Sequence, residues 1–324
     1  MTTFQTIQQT LARELQLLNK RIADALDSPN ALMNTVIRSY LEKKGKQIRP
    51  IMVLLSAKLL GEVNDKVISG AVAVELLHNA SLIHDDVVDD TLTRRGASTI
   101  NGTWDNHLAV LVGDYFLSNA LLQSVEADDI KVVRSISNLG RLLSIGELDE
   151  IYSARFNHLD EAAYFEIIYR KTASLFVACV EVGAYGAGVD DDRLDTLREF
   201  ARLLGLCFQI KDDVFDYFSD EKIGKPTGND IREGKITLPL LHALTTTSGE
   251  RTDRMTALAC RESLNPSEVS ELIEFAIENG GIDYAYATMN RLRNEAAALL
   301  ERFPDSDARR AMLALIDFII VREH

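Results

Sequence analysis

Apolar residues in this chain recur every three or four positions from near its start to its end, and strict alternation is rare. That spacing puts them on one face of a 3.6-residue helix, so the chain reads as helical almost throughout. The candidate helices are 4–26, 31–42, 49–60, 65–85 running on into Asp85-Asp86, 105–123, 128–152, 160–187, 191–217, 235–246, 267–279, 281–302 and 305–322. Breaks fall at Gly61, at Gly96 to Gly102, at Gly188 to Asp192, at Gly224 to Gly228 and at Gly280-Gly281, where glycine punctuates the pattern. Pro304-Asp305-Ser306-Asp307 supplies a start signal for the last helix. No Pro- or Ser-rich hinge interrupts the text, so one all-α domain over residues 1–324 is expected. The longest apolar stretch, Ser174 to Val189, is broken by Glu181 and small residues; it predicts a core helix, and no transmembrane segment is expected.

Into this helical pattern fall two acidic triplets of identical spacing, Asp85-Asp86-x-x-Asp89 and Asp212-Asp213-x-x-Asp216. Aspartate disfavours helix interiors, because its short carboxylate competes for backbone hydrogen bonds. On a helix Asp85 would lie over Asp89 and Asp212 over Asp216, about one turn of 5.4 Å apart. Stacked like charges repel unless a cation sits between them, and oxygen-only donors select a hard ion such as Mg²⁺ together with substrate phosphates. A solvated acidic face is the ordinary fate of one charge run; two matching runs inside apolar text argue against it.

The net charge of −14 leaves no basic stripe for nucleic acid. A hydrophobic fraction of 46% with 26% charged residues fits a globular chain. Cys179, Cys207 and Cys260 are an odd, scattered set without a paired motif, and with no basic-then-apolar start this predicts a cytoplasmic protein.

Cationic groups gather at a few places. Gly45-Lys46-Gln-Ile-Arg49-Pro50 enters a helix, with Pro50 where a first turn tolerates it. Arg94-Arg95 follows the first triplet; Lys225 and Lys235 flank the glycine-bearing loop after the second. Lysine offers a phosphate a point charge and arginine a planar fork. Lys171-Thr172 opens an apolar run, where the lysine either snorkels or meets an anion. Gln209 lies almost a turn before Asp212 and can share its face. Glu75-x-x-His78 has di-iron spacing, but no second such pair exists, so His78 binds phosphate or fills a core contact.

Taken as an ordered set, these residues resemble the trans-isoprenyl diphosphate synthases, of the long-chain type similar to octaprenyl diphosphate synthase. The motifs that carry the likeness are Gly45-Lys46-x-x-Arg49-Pro50, His78, the first triplet with Arg94-Arg95, Lys171-Thr172, Gln209 with the second triplet, Gly224-Lys225-Pro226, and Glu233-Gly234-Lys235-x-Thr237-Leu238-Pro239-Leu240. The resemblance implies an isoprenoid-synthase bundle around a central cavity, usually a homodimer. It implies three Mg²⁺ ions held by Asp85, Asp86, Asp89, Asp212, Asp213 and Asp216 with an allylic diphosphate. Arg94, Lys171, Lys225 and Lys235 would bind that allylic diphosphate, and Lys46, Arg49, His78 and Arg95 the isopentenyl diphosphate. Lys171, Thr172 and Gln209 would stabilise the allylic cation. Rival readings are a terpene cyclase of the same fold and a non-catalytic subunit of a heteromeric synthase.

Short-chain relatives carry a bulky aromatic four or five positions before the first Asp. Here Ser81 and Ala80 stand there, with Leu77 a turn further up. Small residues leave a growing tail room, so a product of roughly C30–C50 is expected, at about one helical turn per isoprene unit.

Overall fold

The computed structural model describes residues 3–42, 45–94, 96–156, 159–218, 227–261 and 263–321. Its helices are α1 (Thr3–Thr10), α2 (Ala12–Ala25), α3 (Ala31–Leu41), α4 (Ile48–Leu60), α5 (Asp65–Val88), α6 (Ile100–Thr103), α7 (Asn106–Glu126), α8 (Ile130–Phe156), α9 (Glu161–Ile168), α10 (Ser174–Gly186), α11 (Asp192–Phe215), α12 (Asn229–Arg232), α13 (Leu238–Thr246), α14 (Glu250–Ala259), α15 (Pro266–Glu278), α16 (Gly281–Leu300) and α17 (Asp307–Val321). A π-helical turn, Tyr169–Ala173, joins α9 to α10. Among the described residues the strands are β1 (Thr93–Arg94) and β2 (Ala97–Ser98), antiparallel across Gly96, whose φ of +73° suits glycine. The fold is all-α, as expected.

The differences from the sequence reading have local causes. The first helix breaks at Leu11, and the one expected over 160–187 is widened by the π turn. Helix α14 was not anticipated: its first half is charged, and only Thr252, Met255, Leu258 and Ala259 are buried, too few to set a visible period.

The described residues form two compact units, each assembled from three chain segments. The first comprises Met1–Arg141, Leu175–Ala201 and Leu299–Leu315. Helix α5 is its core element, buried nearly all round from Val67 to Leu77, which explains why that stretch is apolar on almost every face. Asn64 caps it by accepting from the Val67 amide, and the Asn64 amide donates to the Gly186 carbonyl at 2.9 Å. Gly70 lets α10 come close: a Cβ there would fall 2.4 Å from Val182.

The second unit comprises Leu142–Ser174, Arg202–Ala298 and Ile316–His324. Tyr217, Ile231, Leu240, Met255, Leu272 and Phe275 pack at its centre. Asn265 and Glu268 close a capping box on α15.

By length and composition α5 and α7 could each cross a bilayer, whereas Ser174 to Val189 is not among the candidates. Helix α5 is a core helix; α7 is only one-third buried and exposes Leu111, Leu122 and Val125.

Candidate active site

In the first unit the acidic triplet closes α5. Asp85 and Asp86 lie in its last turn, and Asp89 is the exposed residue that ends it. The stacked helical pair expected of Asp85 and Asp89 therefore sits at a helix terminus. Carboxylates at a helix C-terminus oppose the helix dipole, so stability does not account for them. Asp86 is buried and its Oδ1 accepts from Arg94 Nε and Nη2 at 2.8 and 2.7 Å. Burial pushes its carboxyl above the ordinary range, and Arg94 recovers only part of the shift. The Asp86 carbonyl accepts from Asn101 Nδ2 and from the Thr91 amide, fixing the turn that returns Arg94 to the carboxylate.

Lys46 is exposed just before α4, and Arg49 is half-buried in its first turn with its guanidinium 5.6 Å from the Phe176 ring. Gln47 between them holds a left-handed φ of 55°, and its amide donates to Asn19 Oδ1 at 2.9 Å. His78, Ser81, Leu82 and Asp85 form a half-exposed stripe on α5 at spacings of three and four. Ala80 and Leu77 are buried on its packed side. Arg95 and Lys225, with Gly224 and Pro226, lie outside the described residues.

The second unit gathers more of the candidates. Thr172 Oγ1 donates to Gln209 Oε1 at 2.6 Å, Gln209 Nε2 donates to Asp213 Oδ1 at 2.8 Å, and the Tyr164 hydroxyl donates to Asp213 Oδ2 at 2.6 Å. That chain fixes both ends of the Gln209 amide. Helix α11 stops at Phe215, so Asp216 is not stacked within a helix over half-buried Asp212. Instead its two oxygens accept from the amides of Asn229 and Asp230, each at 3.0 Å, at the start of α12.

Burial and the neighbouring Asp212 push the Asp213 carboxyl up to about 7, against the pull of Tyr164 and Gln209. Asp216 is also raised by burial, and Asp230 lies well above its ordinary range through burial and its closeness to Asp213 and Asp216.

Beside these acids Lys171 Nζ meets Glu150 at 2.8 Å and Glu147 at 2.9 Å, and Lys235 Nζ meets Glu150 at 3.0 Å and Glu233 at 2.7 Å. Burial alone would lower both lysines, but Glu150 and its neighbours outweigh it and raise them.

The carboxylates suit a hard divalent cation. The oxygens of Asp213 and Asp216 each accept a hydrogen bond and keep a second lone pair, and a cation would relieve their crowding. Among the described residues no three such side chains already form a cage, and Mg²⁺ needs none, since it usually takes one or two carboxylates plus substrate phosphates.

The Polyprenyl synthetase family model matches residues 30–276. The chain belongs to that family. It is 35% identical over 316 residues to an all-trans-nonaprenyl-diphosphate synthase (geranyl-diphosphate specific) of Rhodobacter capsulatus, covering 96% of this chain and 95% of the relative. It is 32% identical to a short chain isoprenyl diphosphate synthase of Methanothermobacter thermautotrophicus, covering 98% and 99%. Among solved structures it is similar to a polyprenyl synthase from Caulobacter crescentus complexed with calcium and isoprenyl diphosphate, with a TM-score of 0.91, 34% identity and 98% coverage of both chains. This polyprenyl synthetase family member is thus a prenyltransferase of isoprenoid diphosphates.

Four site residues of the second unit escaped the sequence reading. Glu147 and Glu150, three apart on α8, carried a visible signal, the same kind that exposed the aspartates. Tyr164 and Asp230 carried none, because only the fold brings them to Asp213 and Asp216.

Gly146 was missed as well. A Cβ there would lie 2.7 Å from the Lys171 nitrogen and 3.0 Å from its Cα, so the glycine lets α8 approach the backbone of the π turn. In that turn Ser174 Oγ donates to the Arg170 carbonyl at 2.7 Å, supporting the widened helix. Gly146→Ala is expected to displace Lys171 and lower kcat about 10–100-fold while the protein still folds; steady-state kinetics beside a melting curve checks it.

Proposed function

We propose that this chain catalyses the Mg²⁺-dependent head-to-tail condensation of isopentenyl diphosphate with an allylic diphosphate, yielding an all-trans product of roughly C30–C50 at about one helical turn per isoprene unit. The observation that carries the reading is the cluster in the second unit. Buried carboxylates with raised pKa, ready for a cation, stand in the same cluster as two lysines kept protonated for a polyanion.

In this reading Asp85, Asp86, Asp89, Asp212, Asp213 and Asp216 would hold Mg²⁺, three ions by family likeness. Bound Mg²⁺ would draw off the charge that collects on the departing diphosphate. Lys171 and Lys235 stay charged throughout the working pH range and donate to the same leaving group, joined by Arg94 and Lys225. Gln209 and Thr172, locked by their mutual bond, present fixed dipoles to the allylic cation. Lys46, Arg49, His78 and Arg95 bind isopentenyl diphosphate, whose double bond attacks that cation. The proton then lost passes to the released diphosphate. No covalent enzyme intermediate is needed, and the buried thiols are unsuited to form one: Cys207 is pushed up to about 12 by burial, and Cys179 is raised too.

The whole chain acts as one catalytic domain, supported by a family match that runs across both units. Exposed Leu111, Leu122 and Val125 on α7 support a homodimer, since such a row needs a cover. A cytoplasmic location and a product destined for a quinone side chain complete the proposal.

The test is incubation of the purified protein with farnesyl and isopentenyl diphosphates, with Mg²⁺ or with chelator. Elongated all-trans products that vanish with chelator are expected. Diphosphate release without elongation would replace the reading by a cyclase, and no release by a non-catalytic subunit.

A further inference from the structure

We propose that Glu150 is a positioning residue whose single carboxylate gathers the ammonium groups of Lys171 and Lys235 into a two-pronged clamp for the allylic diphosphate. This rests on the assignment of those lysines to diphosphate binding. Lys171 arises from the π turn and Lys235 from the segment after α12, so nothing in the local chain holds them together. Yet both Nζ atoms lie on the same atom, Glu150 Oε2, at 2.8 and 3.0 Å. The two ammonium groups are thereby kept within about two hydrogen-bond lengths of each other. Without an anion between them, like charges that close would drive the side chains apart.

The other two carboxylates cannot set this spacing. Glu147 serves Lys171 and Glu233 serves Lys235. An ammonium has three donors; on Lys235 the two carboxylates occupy two directions and leave the third for a phosphate oxygen, while on Lys171 the two Glu147 oxygens, at 2.9 and 3.0 Å, crowd one side of the ammonium opposite the approach of a phosphate. Glu150 thus aims the lysines as well as pairing with them. The lysines in turn hold its carboxyl below the ordinary range despite burial, so it remains an anion. Its place on α8 follows from Gly146, one turn earlier on the same face, which brings that face against the Lys171 backbone.

Glu150→Gln keeps the shape and an acceptor oxygen but removes the charge. It is expected to raise the KM for the allylic diphosphate about tenfold while changing the KM for isopentenyl diphosphate less than about twofold. Glu150→Asp, which retains the charge on a shorter stem, should recover most of that loss. In a Lys235→Met background, with one ammonium left to hold, the penalty of Glu150→Gln should shrink to less than about twofold. Equal rises in both KM values, an undiminished penalty in the Lys235→Met background, or no recovery with aspartate would overturn the clamp. If Lys171→Met and Lys235→Met each leave the allylic KM unchanged, the lysine assignment itself falls, whatever Glu150 does.

Discussion

Asp213→Asn is expected to melt later than the wild type at pH 7.5 without metal, and to turn over about a thousandfold more slowly with it. The first half follows from burial. Folded, the Asp213 carboxyl titrates at about 7; unfolded, it returns to about 4. Between those values the folded chain binds the extra proton, so this group's contribution is complete below about pH 4 and is lost as pH rises through about 7. Metal-free protein should accordingly weaken between pH 5 and pH 7.5. An amide at the same position needs no proton: its oxygen can accept from Gln209 Nε2 and its NH₂ can donate to the Tyr164 oxygen. The variant should thus show a shallower fall, with a midpoint about 2–5 °C above wild type at pH 7.5. The second half follows from the lost negative charge, which leaves one proposed metal-binding carboxylate fewer where charge would build on the leaving group. Melting curves in chelator at both pH values, with turnover in Mg²⁺, check the pair. Parallel pH slopes would remove Asp213 as the source of the effect.

Ser81→Phe is expected to shorten the main product from C30 or longer to about C15–C20, one helical turn per isoprene unit. Ser81 is half-buried on the stripe of α5 that includes Asp85, and its hydroxyl donates to the His78 carbonyl at 3.0 Å. A phenyl ring there would project from the same stripe as Asp85, the proposed metal ligand, into the path of a tail growing away from it. The neighbouring position behaves differently. Ala80 is 2% exposed on the packed side, so Ala80→Phe would overpack the core, at a cost of about 1–3 kcal/mol, before it could gate any product. Chain-length analysis by chromatography distinguishes the two: shortened product with an unchanged melting point for Ser81→Phe, and a lowered melting point for Ala80→Phe. An unchanged product distribution in Ser81→Phe would take Ser81 out of the tunnel wall.

The helical fold and both acidic triplets were legible in the sequence because each rests on local spacing. Helix α5 announced itself through helical periodicity over residues 65–85, and the two triplets through an arrangement that ordinary helix chemistry disfavours. What stayed hidden was set elsewhere in the chain. The π turn at Lys171 packs closely against Gly146 of α8, a contact that no periodicity within residues 169–173 records. Helix α14 buries too little to show a period. Asp216 was expected to stack over Asp212, but α11 ends one residue earlier, and amides from α12 claim its oxygens. Tyr164 reaches Asp213 only through tertiary packing.

The bonding of Asp216 also makes the backbone a witness to events at the carboxylate. The amide protons of Asn229 and Asp230, thirteen and fourteen residues further along, rest on the two oxygens of one ionisable group. Any electrophile that pulls electron density from those oxygens weakens both bonds together. Their resonance positions and solvent-exchange rates therefore register occupancy of the second triplet directly, with no label, no substrate and no turnover.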